Sequence, residues 1–312
     1  MDFTSLPIHS FYLMVAVVSL LVIASIICFL KKQAHPDRDY TELWLRIRSW
    51  WIIIGLIFVV LLLSPTATII FFGFLSFLAL KEFLSITPIR FSDRRTLFWA
   101  YLAIPVQYYW VHDAWYGMFI IFIPIYLFLI LPTRMVLTGD TRGFIRSAGI
   151  IHWATMLTIF AISHIPFLLV LPEKNVDAGP IGLVLFLIFI TQLNDVAQYV
   201  WGKSFGRRKI IPKVSPNKTW EGFIGGVCTI MVVASISSPW LTPMSWYEGL
   251  AAGAIIGIGG FFGDVVISAV KRDLHIKDSG TLIPGHGGIL DRMDSLMFTA
   301  PLFFHFIYYL HY

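Results

Sequence analysis

Residues 248–294 read EGLAAGAIIGIGGFFGDVVISAVKRDLHIKDSGTLIPGHGGILDRMD. The part up to Val270 is an apolar, glycine-dotted run, long enough to cross roughly 30 Å of hydrocarbon as a helix. From Lys271 to Asp294 the same stretch is dense with charge, and a further apolar run follows over 295–312. A polar segment spliced between two oily helices decides the fold class and places the chemistry: an all-α membrane protein with its reactive groups at helix ends.

The rest of the chain agrees. Its 312 residues are 57% hydrophobic and 13% charged, with a mean hydropathy of +0.78, outside the range of ordinary soluble domains. Apolar runs recur at 8–30, 50–64, 66–84, 96–112, 115–132, 148–171, 180–200, 222–240, 248–270 and 295–312, so ten transmembrane helices are expected and no large soluble domain fits between them. The whole is one membrane domain, with an N-terminal helical region over 1–171 and a catalytic region over 172–312. The first run lacks a basic leader and a small-residue cleavage site and is followed by Lys31 and Lys32, which reads as a retained anchor.

With the N-terminus outside, the alternation of ten spans puts 31–49, 81–95, 133–147, 201–221 and 271–294 on one side. These segments hold 22 of the 23 Lys and Arg residues, leaving Lys174 opposite. That asymmetry marks the cytoplasmic face, and both termini are then expected on the other side. The net charge of +5 is a topology signal and gives no reason to invoke nucleic acid. Cys28 and Cys228 lie in apolar runs without metal-ligand spacing, so neither a disulfide nor a thiolate metal site is expected.

In the first region the polar exceptions are few. Lys81 and Glu82 close the third span, as a local ion pair or as support for the site, and His152 and His164 read as histidines hydrogen-bonded to a neighbouring helix. Beyond residue 180 the helix ends acquire carboxylates. Asp264, Ser268, Lys271 and Arg272 share a helical stripe, with Asp264 about 10 Å along the axis from Lys271 at 1.5 Å per residue. An ionised carboxylate at that depth costs roughly 2.5–3.5 kcal/mol unless hydrated or paired, which a packing role does not explain. The glycines 257, 259, 260 and 263 do read as a close-packing face.

Downstream, Pro284-Gly285-His286-Gly287-Gly288 can present backbone N–H groups to an anion, while Asp291, Asp294 and Ser295 project together from a helix start. A third cluster runs from Asp195, Gln198 and Tyr199 through Gly202, Lys203, Gly206 and Arg207-Arg208-Lys209 to Ser215-Pro-Asn-Lys218-Thr219-Trp-Glu221-Gly222. No Walker A or dinucleotide fingerprint is present. Oxygen ligands with basic neighbours suit Mg²⁺ completed by a nucleotide's phosphates. At headgroup depth these parts suit transfer of a nucleotidyl group to a lipid phosphate, an acceptor already anionic near neutral pH that needs no general base.

The 268–294 segment (Ser, Lys-Arg, Lys-Asp, Pro-x-His-Gly-Gly, Asp-Arg-x-Asp) resembles the signature of phosphatidate cytidylyltransferases, and 195–226 is similar to a second block of that family. The resemblance implies transfer of CMP from CTP to phosphatidic acid, giving CDP-diacylglycerol and pyrophosphate, with Mg²⁺, a second cation left open, and a homodimer in the bilayer. It implies Asp264 and Asp291 as metal-binding carboxylates supported by Asp195 and Asp294. Ser215, Lys218, Thr219 and Glu221 would form the nucleotide site. Lys203, Ser268, Lys271, Arg272, Lys277, His286, Gly287, Gly288 and Arg292 would surround the anions. Gln198, Lys203 and Asn217 stand where the family pattern has Ala, Arg and Lys, and Lys203 cannot grip phosphate bidentately. Cytidylyl transfer to another lipid phosphate such as an isoprenoid phosphate, and an ion-coupled transporter, are the alternative readings.

Overall fold

The structure, a computed structural model, describes residues 7–35, 39–280 and 287–312. Ten helical rods follow one another: α1 Ile8–Ala34, α2 Thr41–Leu63, α3 Pro65–Ile86, α4 Arg94–His112, α5 Tyr116–Val136, α6 Phe144–Phe167, α7 Gly179–Phe205, α8 Trp220–Leu241, α9 Trp246–Asp273 and α10 Leu290–His311. Wide π turns interrupt α5 at Phe122–Leu127 and α6 at Met156–Ala161. Among the described residues there is no strand; Lys209 and Thr219 form an isolated antiparallel bridge.

Eight of these helices are long and apolar enough to cross a membrane, which corrects the expected ten. The other two, α4 and α10, do form at the expected places but carry too much polarity. Arg94, Arg95, Gln107 and His112 lie in α4, and Asp291, Arg292 and Asp294 open α10. Shielding explains why α10 needs less lipid-compatible surface: Ala300, Phe303, Phe304 and Ile307 are fully enclosed by other helices. A helix wrapped by protein need not be greasy all round.

The C-terminal helices form the tightest part. α8 packs along α7 and α9, α9 packs on α10, and α7 touches both α9 and α10. Glycine lets them approach. A Cβ on Gly263 of α9 would lie 2.5 Å from the carbonyl oxygen of Asp294 in α10, and one on Gly260 would lie 2.9 Å from Asn194 Nδ2 in α7. Such small-residue faces bring helix backbones together where lipid gives no hydrophobic drive. The N-terminal helices join this unit chiefly through α6 against α10, with α1 against α7 and α3 against α10 beside it.

The two ends of the bundle differ. At one end His9 Nδ1 meets Trp240 O at 2.9 Å, Asn175 Nδ2 donates to Thr242 O at 3.0 Å, and His311 Nε2 lies 3.4 Å from Glu248 Oε1. The start of α1 and the end of α10 are therefore together there. The charged connections gather at the opposite end, where Arg90 binds Asp93 and the Asp140 and Arg142 carbonyls. The expected bond from His152 and His164 to a neighbouring helix is not made: His164 Nδ1 meets Phe160 O one turn back in its own helix, its ring packs among Phe119, Phe160 and Phe304, and His152 Nδ1 is buried with no hydrogen-bond partner among the described residues.

Candidate active site

The charged end contains a cavity of about 640 Å³, to which α7, α8, α9, α10 and the 206–219 connection all contribute. Each contribution has a local cause. The connection folds back on itself: Ile210 N–H donates to Lys218 O, Trp220 N–H to Arg208 O, and Glu221 accepts the backbone N–H groups of Arg207 and Arg208 at 3.0 and 3.2 Å. Thr219 caps α8 by accepting Gly222 N–H at 3.2 Å. Glu221 and Thr219 thus fasten the loop that carries Lys209, Ser215, Asn217 and Lys218 to the cavity wall.

Lys218 is the central cation. Its Nζ lies 2.7 Å from Asp264 Oδ2 and donates to Gln198 Oε1 at 3.2 Å, above the Phe261 ring. Gln198 is held for this task, because its Nε2 donates to Asn194 Oδ1 at 3.1 Å and faces Gly257 O. Ser268 Oγ donates to the other oxygen of Asp264 at 3.3 Å. Across the cavity Asp195 Oδ1 accepts Ser295 Oγ at 3.1 Å, and Asp294 Oδ1 accepts the Ser295 N–H at 2.7 Å.

Asp291 has a different environment from the other carboxylates. Lys271 Nζ sits 2.6 Å from Oδ1, while Oδ2 accepts from Ser279 N–H at 2.9 Å and Gly288 N–H at 3.0 Å. Gly287 has φ +79, and a Cβ there would lie 2.5 Å from Asp291 Oδ2. The paired glycines therefore make room for carboxylates, and Gly288 N–H already has an acceptor.

Of the residues anticipated from sequence, Asp195, Lys203, Ser215, Lys218, Thr219, Asp264, Asp291, Arg292 and Asp294 all line the one cavity, although they come from three separated segments. Others hold the wall from behind: Ser268 on Asp264, Lys271 on Asp291, Glu221 on the loop turn, and Arg272 Nε donating to Val214 O at 3.3 Å. Lys277 is exposed, Gly287 and Gly288 lie behind Asp291, and His286 lies outside the described residues. Tyr199 and Lys209 also line the cavity, with Lys203 Nζ 5.7 Å from the Tyr199 ring centroid.

Sequence reasoning missed Ser279 and the buried Asn194–Gln198 pair, and it left Glu82 undecided. Glu82 makes no ion pair with Lys81. Adjacent helix residues point to different faces, and that spacing was the available signal against the pairing.

Asp195 and Asp294 form no ion pair among the described residues and share the cavity with Asp264, whose charge bears on both. Among the described residues no three His, Cys, Asp or Glu side chains are gathered closely enough to hold a metal ion by themselves. A hard divalent cation bound through one or two carboxylates, with water and substrate phosphates completing its shell, fits this donor set.

Arg292 connects two spaces. It lines the polar cavity and also an apolar one of about 440 Å³ walled by α1, α2, α3, α7 and α10, and its Nε is buried with no hydrogen-bond partner among the described residues. A helical membrane protein with a mixed-charge cavity that shares Arg292 with an apolar one is the class these features define. The comparisons make it particular: the model of the cytidylyltransferase family matches residues 44–310, and the chain belongs to that family. It is 48% identical over 291 residues to the uncharacterised protein YnbB of Escherichia coli (strain K12), covering 93% of this chain and 96% of that one. It is 34% identical over 215 residues to the phosphatidate cytidylyltransferase of Bacillus subtilis (strain 168), covering 69% and 75%. With the phosphatidate cytidylyltransferase of Staphylococcus epidermidis (strain ATCC 12228 / FDA PCI 1200) the identity is 31% over 261 residues, covering 83% and 97%.

Proposed function

We propose that this membrane enzyme transfers CMP from CTP to phosphatidic acid at the cytoplasmic face; two of its relatives are named phosphatidate cytidylyltransferase. The observation that carries the reading is Arg292, which lines both a cavity walled by Lys203, Lys209, Lys218 and four aspartates and an apolar cavity of about 440 Å³. One side fits a triphosphate, the other a lipid tail, and the guanidinium between them fits a phosphate monoester.

In the reaction a phosphate oxygen of the lipid forms a bond to the α-phosphorus of CTP, the bond to the bridging oxygen of the β-phosphate breaks, and pyrophosphate leaves with that electron pair. No proton needs removing from the acceptor. The chain's work is to hold two mutually repelling anions in line and to stabilise the charge that accumulates. Lys218 and Lys203 would meet the triphosphate, Ser215 and Asn217 would orient it, and Arg292 would hold the lipid phosphate. Mg²⁺, when bound, would be held by Asp264 with one of Asp195 and Asp294 and would neutralise phosphate charge, and Asp291 would steady the site through Lys271. The clustering of Lys and Arg on the connections at this end supports a cytosolic orientation, with both termini on the far side. A homodimer follows from the family resemblance and is checked by light scattering in detergent.

The test is labelling of phosphatidic acid by purified protein with CTP and Mg²⁺, run alongside other nucleotides and other lipid phosphates. Asp264→Asn is expected to abolish labelling while the protein still inserts. A fully active Asp264→Asn variant, or a preference for an isoprenoid phosphate over phosphatidic acid, would overturn the reading.

A further inference from the structure

Glu82 lies one turn from the end of α3, in the region whose sequence carries no motif. The first N–H groups of a helix have no intrahelical acceptor, and the residue at the start of α10, Ile289, has no side chain able to cap it. α3 supplies the acceptors instead. Glu82 Oε2 accepts Ile289 N–H at 2.9 Å and Oε1 accepts Leu290 N–H at 3.0 Å, and the Ser279 hydroxyl donates to Oε1 as well. Gly280 and Gly288 stand where a Cβ would press on this carboxylate.

Ser279 is shared. Its Oγ also lies 2.9 Å from Asp291 Oδ2. The hydroxyl has one hydrogen, so while it serves Glu82 the backbone N–H groups of Ser279 and Gly288 hold Asp291. One carboxylate thus pins both the start of α10 and the Ser279 turn. From that pinned first turn come Asp291, Arg292, Asp294 and Ser295, all of which line the cavity.

We infer that Glu82 is a positioning residue of the active site: it fixes the first turn of α10 and the Ser279 turn, and through them holds Asp291 against Lys271 and aims Arg292 and Asp294. The inference rests on the proposed reaction only in its kinetic arm.

The test uses the full chain in detergent as Glu82→Gln, Glu82→Asp and, as a neighbouring control, Lys81→Ala. Glutamine keeps the size but sets an NH₂ group against a backbone N–H. Hydrogen exchange followed by mass spectrometry should show peptides spanning 287–295 exchanging about 10-fold faster or more in Glu82→Gln, as expected for loss of a charge-assisted bond, while peptides from 220–241 are unchanged. The kcat for lipid labelling should fall about 10-fold, with KM for CTP within about threefold, because the groups assigned to the triphosphate sit on α7 and the 206–219 connection and not on α10. Glu82→Asp, which keeps the charge with less reach, should recover part of both, and Lys81→Ala should match wild type. Unchanged exchange at 287–295, faster exchange throughout the protein, or an unchanged kcat despite local opening would overturn the inference. If wild-type protein labels no lipid phosphate, the proposed reaction fails and the exchange data alone decide on Glu82.

Discussion

Gly263→Ala is the sharpest probe of how the helices assemble the site. Gly263 precedes Asp264 in α9, and an alanine Cβ there would stand 2.5 Å from Asp294 O, 3.1 Å from Ser295 Cα and 3.2 Å from Asp294 C. Ordinary Cβ contacts begin near 3.4 Å, so α9 and α10 would have to separate by about 0.9 Å. All the opposing atoms belong to backbone or Cα and cannot swing aside. Forced overpacking of this kind costs roughly 1–3 kcal/mol. A displacement approaching 1 Å between Asp264 and Asp294 should lower turnover by about 10²-fold. The assay is the initial rate of CMP transfer together with the thermal unfolding midpoint in one detergent. Gly259→Ala, whose Cβ would meet the flexible end of Leu302, and Gly55→Ala, which has nothing within 4 Å, are the matched controls and should stay near wild type. Wild-type turnover in Gly263→Ala would refute the claim that this contact sets the spacing of the carboxylates.

Lys271→Met should lower stability by about 3 kcal/mol, since it leaves Asp291, only 6% exposed at its side chain, without its cation; addition of Asp291→Asn should restore part of the loss in a double-mutant cycle followed by thermal unfolding. Lys218→Ala should reduce kcat/KM for CTP by at least about 10-fold, measured with saturating lipid. Glu221→Gln should raise KM for CTP with little change in melting temperature, because it loosens the turn at Arg207 and Arg208 and not the helix core. Arg292→Ala should raise KM for the lipid more than KM for CTP, and equal effects on both would remove Arg292 from its assigned place between the two cavities.

The legibility of the site followed the periodicity of its parts. Asp264, Ser268 and Lys271 lie at helical spacing, so the sequence alone put them on one stripe, and the structure joins the first two by a hydrogen bond and the third to Asp291. The gathering of Asp195, Lys218 and Asp264 was legible only through the family resemblance, because the contact runs between separate helices. Hidden from sequence were the demands of close packing on backbone groups. The glycines at 287 and 288 read as an anion cradle, whereas in the fold one adopts positive φ against Asp291 and the other gives its N–H to the same carboxylate. Glu82 was hidden for a related reason: its partners are main-chain N–H groups some two hundred positions away, and main-chain donors leave no trace in residue type. The span count erred where shielding by protein replaced hydrophobicity, as in α10.

The pairing of charges in the cavity also constrains how a phosphate can enter it. Lys218 has three N–H donors; one meets Asp264 and a second meets Gln198, which leaves a single donor for a ligand. A triphosphate that engages the ammonium in place of Asp264 frees an oxygen of that carboxylate in the cavity it shares with Asp195 and Asp294, which form no ion pair among the described residues. Binding the anion and completing a cation's oxygen shell are therefore coupled through the one lysine, and each should strengthen the other by the same factor. Gln198 sets the strength of that coupling. Its amide is oriented by Asn194 and the Gly257 carbonyl so that oxygen, and not nitrogen, faces Lys218. With alanine at that position the ammonium would gain a free donor and lean more heavily on Asp264. Gln198→Ala should consequently change the Mg²⁺ concentration needed for half-maximal CTP binding, and an unchanged Mg²⁺ dependence, measured by titration calorimetry of CTP at several Mg²⁺ concentrations, would break the link between the lysine and the carboxylates.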